Sequence, residues 1–323
     1  MKPRYFLHSL AALAAVLSFG AAHAWPDRTV TLLVPFPPGG ALDISARILA
    51  PQLSTELGQP VIVENRAGAT GSIGANAVAK APPDGYLLLW SSLSSHAIHG
   101  ILYGNTLAYD LEKNFTPINV FGAVPMAMVV NPAVKASTLA ELVALAKANP
   151  GSLSFASSGN GSVQHLSGEL FQRLAGVQLL HVPYKGIGPS VIGLVGGQVD
   201  IGIESLPATL PHVRSGRLRA LMVGSSERVP FVPEVPTPAE AGLKGFEVGI
   251  QLFFFAPAGT PALIVGRLNG AMKSVLEKPA VREILLTQAI VPVYQTPEEA
   301  AQVVRAEIAK WTKIIRDANI NPE

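Results

Sequence analysis

The sequence contains no cysteine. That excludes disulfides, thiolate metal sites, a thiol nucleophile and lipid attachment through an N-terminal Cys. Charge is scarce: 14% of the 323 residues are Asp, Glu, Lys or Arg, where about a quarter is usual. With 49% hydrophobic residues, the chain is not a disordered one. Lys and Arg form no run, so nothing points to nucleic acid as a partner. No apolar stretch reaches the roughly 20 residues of a spanning helix without meeting Gly, Pro or charge. What the chain does have is 30 Gly and 27 Pro, enough for many sharp turns. The length suggests about two domains.

The N-terminus reads as a secretory signal peptide. Lys2 and Arg4 give a positive start, LAALAAVLSF from Leu10 to Phe19 an apolar stretch, and Ala22-His23-Ala24 a cleavage site, so cleavage is expected after Ala24. Lys2 and Arg4 leave with residues 1–24, so the 24 basic residues fall to 22, equal to the 22 acidic ones. A neutral chain steers no ligand by its overall field, so recognition must be local. An exported, Cys-free chain fits the periplasm.

Past Trp25, strand and helix patterns alternate. Thr29–Phe36 (TVTLLVPF) reads as a buried strand, followed by a helix from Asp43 to Leu57 that stops at Gly58. Val61–Val63 and Tyr86–Trp90 read as strands around a helix from Ile73 to Lys80. Ser137-Thr138 with Glu141 forms a capping box. Leu153–Ala156, Leu179–Val182, Val199–Ile203 and Leu218–Val223 read as strands, Val163–Leu174 as a helix, and Pro189, Pro261 and Pro297 mark helix starts. Alternation predicts mainly parallel sheets flanked by helices. The expected division is lobe 1 from 25–124 plus 248–323 and lobe 2 from 125–247, joined by two crossover strands.

In parallel sheets, ligands bind where strands end and helices begin. Several of these junctions are Gly-rich: Phe36-Pro37-Pro38-Gly39-Gly40-Ala41 before Asp43, and Ser157-Ser158-Gly159-Asn160-Gly161-Ser162 before His165. Ser91-Ser92 is a weaker one. Glycine lets the backbone turn without a side chain in the way, and the following helix offers unpaired N–H groups that suit a carboxylate or phosphate. Asp43 reads equally as a helix cap or a ligand contact. Tyr184 follows a strand and can face the cleft. Glu204 would accept a ligand amine or repel a second carboxylate. His96-x-x-His99 lacks a third metal ligand.

The run Val34-Pro35-Phe36-Pro37-Pro38-Gly39-Gly40 with Asp43 and Arg47 resembles the Bug family, the TctC-type periplasmic binding proteins of tripartite tricarboxylate transporters. The resemblance continues through Glu64-Asn65-Arg66-Ala67-Gly68-Ala69, Pro83-Asp84-Gly85-Tyr86, Val182-Pro183-Tyr184-Lys185-Gly186, Gly197-Gln198-Val199-Asp200 and Ala256-Pro257-Ala258-Gly259-Thr260-Pro261. It implies a two-lobed α/β periplasmic binding protein (Venus flytrap, type II-like) and one ligand, usually a carboxylate, held by backbone N–H groups of the loops Phe36–Ala41 and Ser157–Ser162. It also implies that Asp43 meets the non-carboxylate part of some ligands, and that the partner is the transporter's integral membrane permease. A monomer without cofactor or metal is expected, and a binding protein rather than an enzyme. A membrane sensor is the alternative partner, and a periplasmic hydrolase using Ser162 and His165 a third reading. Ile250-Gln251 and Ile203-Glu204 depart from the family pattern, so the ligand does not carry over.

Overall fold

The structure is a computed structural model describing residues 25–104, 106–317 and 320; the expected signal peptide lies outside them. The first half runs β1 (Val30–Val34), α1 (Ala41–Leu57), β2 (Val61–Asn65), α2 (Ser72–Ala79), β3 (Leu87–Ser92), α3 (Leu93–Tyr103) and the long β4 (Phe115–Val130). Then follow α4 (Leu139–Ala148), β5 (Ser154–Ser157), α5 (Val163–Ala175), β6 (Leu180–Pro183), α6 (Ile187–Val195), β7 (Ile201–Ser205), α7 (Leu206–Arg214) and β8 (Arg219–Val223). The chain closes with β9 (Gly249–Pro257), α8 (Ala262–Glu277), α9 (Pro279–Thr287), β10 (Val291–Pro292) and α10 (Pro297–Asp317). No helix among the described residues is long and apolar enough to cross a membrane.

Local signals account for many boundaries. Gly58 ends α1 in the left-handed region at φ 76°, where its N–H reaches Ser54 O. The capping box before α4 forms as the sequence suggests: Thr138 Oγ1 accepts the Glu141 N–H at 3.2 Å, and Glu141 accepts the Ser137 N–H at 2.7 Å. The helices α3, α7 and α9 lack a clear apolar period and carry start signals only: Ser92 caps α3, and Pro207 and Pro279 stand in the first turns of α7 and α9, while Pro211 falls inside α7.

Strands follow the order β2-β1-β3-β9-β4-β7-β5-β6, with β8 and β10 also pairing with β4. Parallel pairing is confined to β2-β1-β3 and β6-β5-β7, while β4 and β9 run antiparallel to their neighbours. The result is a mixed sheet in two lobes. β4 serves both: Phe115–Pro125 pairs with β9, and Met126–Val130 pairs with β7 and β8. Phe253, Phe254 and Phe255 are fully buried on β9, and Trp90 stacks 3.9 Å from Phe121 while donating to Ser45 Oγ at 3.0 Å. α10 packs across α3, where buried Glu307 accepts from Ser94 Oγ and Trp311 Nε1, both at 2.7 Å.

Three segments meet where β4 changes partners. Gly224 N–H donates to Met126 O at 2.7 Å, and Val248 N–H donates to Gly224 O at 2.8 Å. A Cβ on Gly224 would lie 2.5 Å from Val248 O, a backbone atom that cannot rotate away. Gly224→Ala is therefore expected to force this junction open at a cost of about 1–3 kcal/mol, read as a lower midpoint in chemical denaturation; an unchanged midpoint would refute the tight crossing.

Candidate functional site

Two adjoining cavities, about 600 and 290 Å³, open beside this junction. They share Phe36, Ser95, Ile187 and Ile250 and so form one cleft. The larger is walled by the loop from Phe36 to Leu42, by Ser92, Val124 and Leu252, and from the other lobe by Ser205, Pro207 and Ala208. The smaller adds Thr70, His99 and Tyr103 to Ser158 and residues Asn160 to Gln164. None of these lining residues is Asp, Glu, Lys or Arg.

Helix geometry supplies the positive character that the neutral lining side chains do not. Five helices, α1, α3, α5, α6 and α7, begin at the cleft walls. Ser92 caps α3 by accepting the Ser95 N–H, and Ser162 caps α5 by accepting the His165 N–H, both at 3.2 Å. The N-caps of the other three, Gly40, Gly186 and Ser205, provide no side-chain cap. First-turn N–H groups lack intrahelical acceptors and carry partial positive charge. Several such termini facing one space make an anion site without a cation.

The two glycine loops are each locked by a side chain from the first turn of the following helix. Gly39, at φ 87°, donates its N–H to Asp43 Oδ2 at 2.9 Å. Asp43 also accepts from Arg47 Nε and Asn65 Nδ2, both at 3.0 Å. Burial raises the Asp43 pKa, but the hydrogen bonds from Arg47, Gly39 and Asn65 outweigh it and hold the carboxyl below its ordinary value. In the second loop Gly161, at φ 69°, donates to His165 Nδ1 at 3.1 Å, and Gly159 donates to Ser157 Oγ at 3.1 Å. Ser157 Oγ bonds His181 Nε2 at 2.7 Å, and the imidazoles of His181 and His165 stack 4.0 Å apart. The amides of Gly39, Gly159 and Gly161 thus point at the protein's own acceptors.

Of the residues singled out in the sequence, Phe36, Gly39, Gly40, Ala41, Asn160, Gly161 and Ser162 wall the cleft. Asp43, Ser91, Ser157, Gly159, His165, Tyr184 and Glu204 stand behind the walls. Ser91 Oγ is buried against His96 Nε2 at 2.8 Å, and His96 Nδ1 meets Tyr109 Oη at 2.7 Å. Burial, with His99 nearby, lowers the His96 pKa to about 3, so this imidazole is neutral. The Tyr184 ring lies against Gly193 of α6 and leaves no room there for a Cβ. Ser162 and His165 are joined as helix cap and capped amide. Sequence reasoning missed Ser95, Gln164, Ile187 and Pro207, neutral residues whose only signal is their place just after a helix start.

Glu204 is wholly buried and linked to the cleft. Its Oε1 accepts from Ser190 Oγ at 2.5 Å and its Oε2 from Gln164 Nε2 at 3.1 Å; Gln164 Oε1 in turn accepts from Ser158 Oγ at 2.9 Å. Burial pushes Glu204 up to about 7, against the opposing effect of these two donors.

A further cavity, about 840 Å³, lies elsewhere, behind the junction between α5, residues Gly224 to Pro230 and α10. Cations line it, but Arg173 and Lys313 share Asp317, Lys310 pairs with Glu307 and Arg228 with Glu240, and Arg282 donates to the Leu276 carbonyl oxygen at 3.4 Å. It holds none of the glycine loops.

An acid whose folded pKa is raised stabilises the fold fully below its ordinary pKa of 4.5, and loses that contribution as pH rises through about 7. Glu204→Gln, which imitates the protonated form, is expected to gain on the wild type between pH 5 and pH 8 by on the order of 1–3 kcal/mol. Denaturation midpoints at both pH values measure this; parallel pH profiles would contradict it.

Comparison with known proteins agrees with this architecture. Residues 45–320 match the family model described as "Tripartite tricarboxylate transporter family receptor". The protein BugT of Bordetella pertussis is 41% identical over 306 residues, covering 95% of this chain and 94% of its own. A Rhodopseudomonas palustris protein solved with adipate has a TM-score of 0.80 at 37% identity, covering 93% of this chain and 100% of that one. MatC from the same organism, with bound malate, has a TM-score of 0.77 at 37% identity, covering 90% and 100%. The chain belongs to the TctC family of tripartite tricarboxylate transporter receptors, the Bug-type periplasmic solute-binding proteins.

Proposed function

We propose that this protein is an extracytoplasmic receptor that binds one small carboxylate in the cleft and delivers it to the membrane permease of a tripartite tricarboxylate-type transporter. The observation that carries this reading is the convergence of five helix N-termini on a cleft with no charged lining residue. Adipate in one relative and malate in another support the ligand class. The contacts fall to the amides of Gly40, Ala41, Leu42 and Ile187 with Phe36, Asn160 and Ser162 beside them, while Asp43, His165 and Glu204 hold the two loops in shape.

The energetics suffice. A hydrogen bond to a charged group contributes roughly 1.5–3 kcal/mol. Three or four to one carboxylate, offset by the entropy of association, reach about −8 kcal/mol, or micromolar affinity. On this reading segments 25–124 plus 248–323 and 125–247 move as lobes about the junction at Met126, Gly224 and Val248. Closure excludes water and strengthens each bond.

Gly40 provides a clean test. It has an ordinary φ of −82°, and a Cβ there meets nothing within 4 Å, so Gly40→Val is expected to fold and to intrude on the cleft. Its affinity for the best ligand in a carboxylate thermal-shift panel should fall about tenfold or more, roughly 1.4 kcal/mol. Exposed Lys185→Ala should leave that affinity unchanged. Equal affinities for the two variants, or stabilisation by a sugar but by no carboxylate, would refute the reading.

A further inference from the structure

The carboxylate reading leaves the rest of the ligand open, and the cleft walls address it. Resting on that reading, we infer that the ligand carries an apolar body, aromatic or aliphatic, with neither an ammonium group nor a hydroxyl-rich backbone.

Phe36, Ile187 and Ile250 belong to both cavities, and Val124, Pro207 and Leu252 continue the same surface through the larger one. These side chains come from both lobes, so whatever lies between them has apolar contacts on two sides. Hydroxyls or further carboxylates that lay against these six side chains, rather than against Ser92, Ser95, Ser205 or the polar wall of the smaller cavity, would lose water without gaining partners, which is costly for polar groups and more so for charged ones. A cleft of about 600 Å³ falls within the range that encloses a whole small organic molecule.

An ammonium group taken out of water is compensated best by a carboxylate beside it. Asp43, at the start of α1, is turned away and holds Gly39, Arg47 and Asn65. Glu204 is buried behind Gln164 and Ser190. Neither lines the cleft, and moving either would break the loop it braces.

Ile250 is one of the departures from the family pattern. It stands on β9 opposite Val124 of β4, so the β4–β9 pair presents an aliphatic floor to the ligand. The polar groups of the smaller cavity are neutral. His99 Nδ1 bonds Ser72 Oγ at 2.8 Å, and burial lowers its pKa.

The test is calorimetric titration of the wild type with hexanoate, benzoate, adipate and terephthalate against malate, aspartate and citrate. Burying about 60 Å² of apolar surface corresponds to about tenfold in affinity, so the best apolar-bodied acid should bind at least tenfold tighter than malate, aspartate or citrate. Binding should carry a negative heat-capacity change. Ile250→Asn should weaken that acid about tenfold and shrink the heat-capacity change; if Ile250→Asn does not fold, Ile187→Asn serves the same purpose. Malate, aspartate or citrate binding as tightly as every apolar acid would overturn this inference and leave the carboxylate reading standing. Binding by no carboxylate at all would overturn both.

Discussion

On the proposed reading a charge-poor chain holds an anion through the alignment of backbone dipoles: helices from both lobes start at the same cleft, three of them without a side-chain cap. Amide groups left without intrahelical acceptors need partners from water or ligand. An Arg in the cleft would have to be desolvated with the ligand, whereas a helix terminus is fixed by the fold and needs little reorganisation on binding. The low charge content and the glycine-rich turns are therefore two aspects of one design.

That design depends on the loops keeping their shape. Both use the same device, a glycine N–H held by a side chain four residues on: Gly39 by Asp43, Gly161 by His165. Positive φ values at both glycines make the turn tight enough for the clamp. Behind the second loop, the chain Ser158–Gln164–Glu204–Ser190 ties the cleft wall to α6. Asp43, His165 and Glu204 thus stand one layer behind the cleft wall.

Much of the architecture was legible beforehand because it is written locally. TVTLLVPF at β1, the apolar period of α1 up to Gly58 and the Thr138–Glu141 box each carry their own signal. Helices α3 and α7 were not legible, since Ser-rich and Pro-containing stretches favour turns on propensity and become helical only through packing. Nor was the antiparallel insertion of β4 and β9, which pairs residues more than a hundred positions apart. In the site, the glycine loops stood out, but the direction of their amides did not. Whether Gly39 N–H meets a ligand or Asp43 depends on a rotamer and a neighbouring Asn65, neither of which spacing encodes.

Whether first-turn amides capture the ligand is the point on which the account rests. Amide proton shifts in ¹⁵N-labelled protein, titrated with the carboxylate that binds best, report on it directly. The account predicts the largest downfield shifts at Gly40, Ala41, Leu42 and Ile187, from hydrogen bonds formed to the anion. Largest shifts around Arg173, Arg228 and Lys313, with the α1 and α6 termini unmoved, would contradict it.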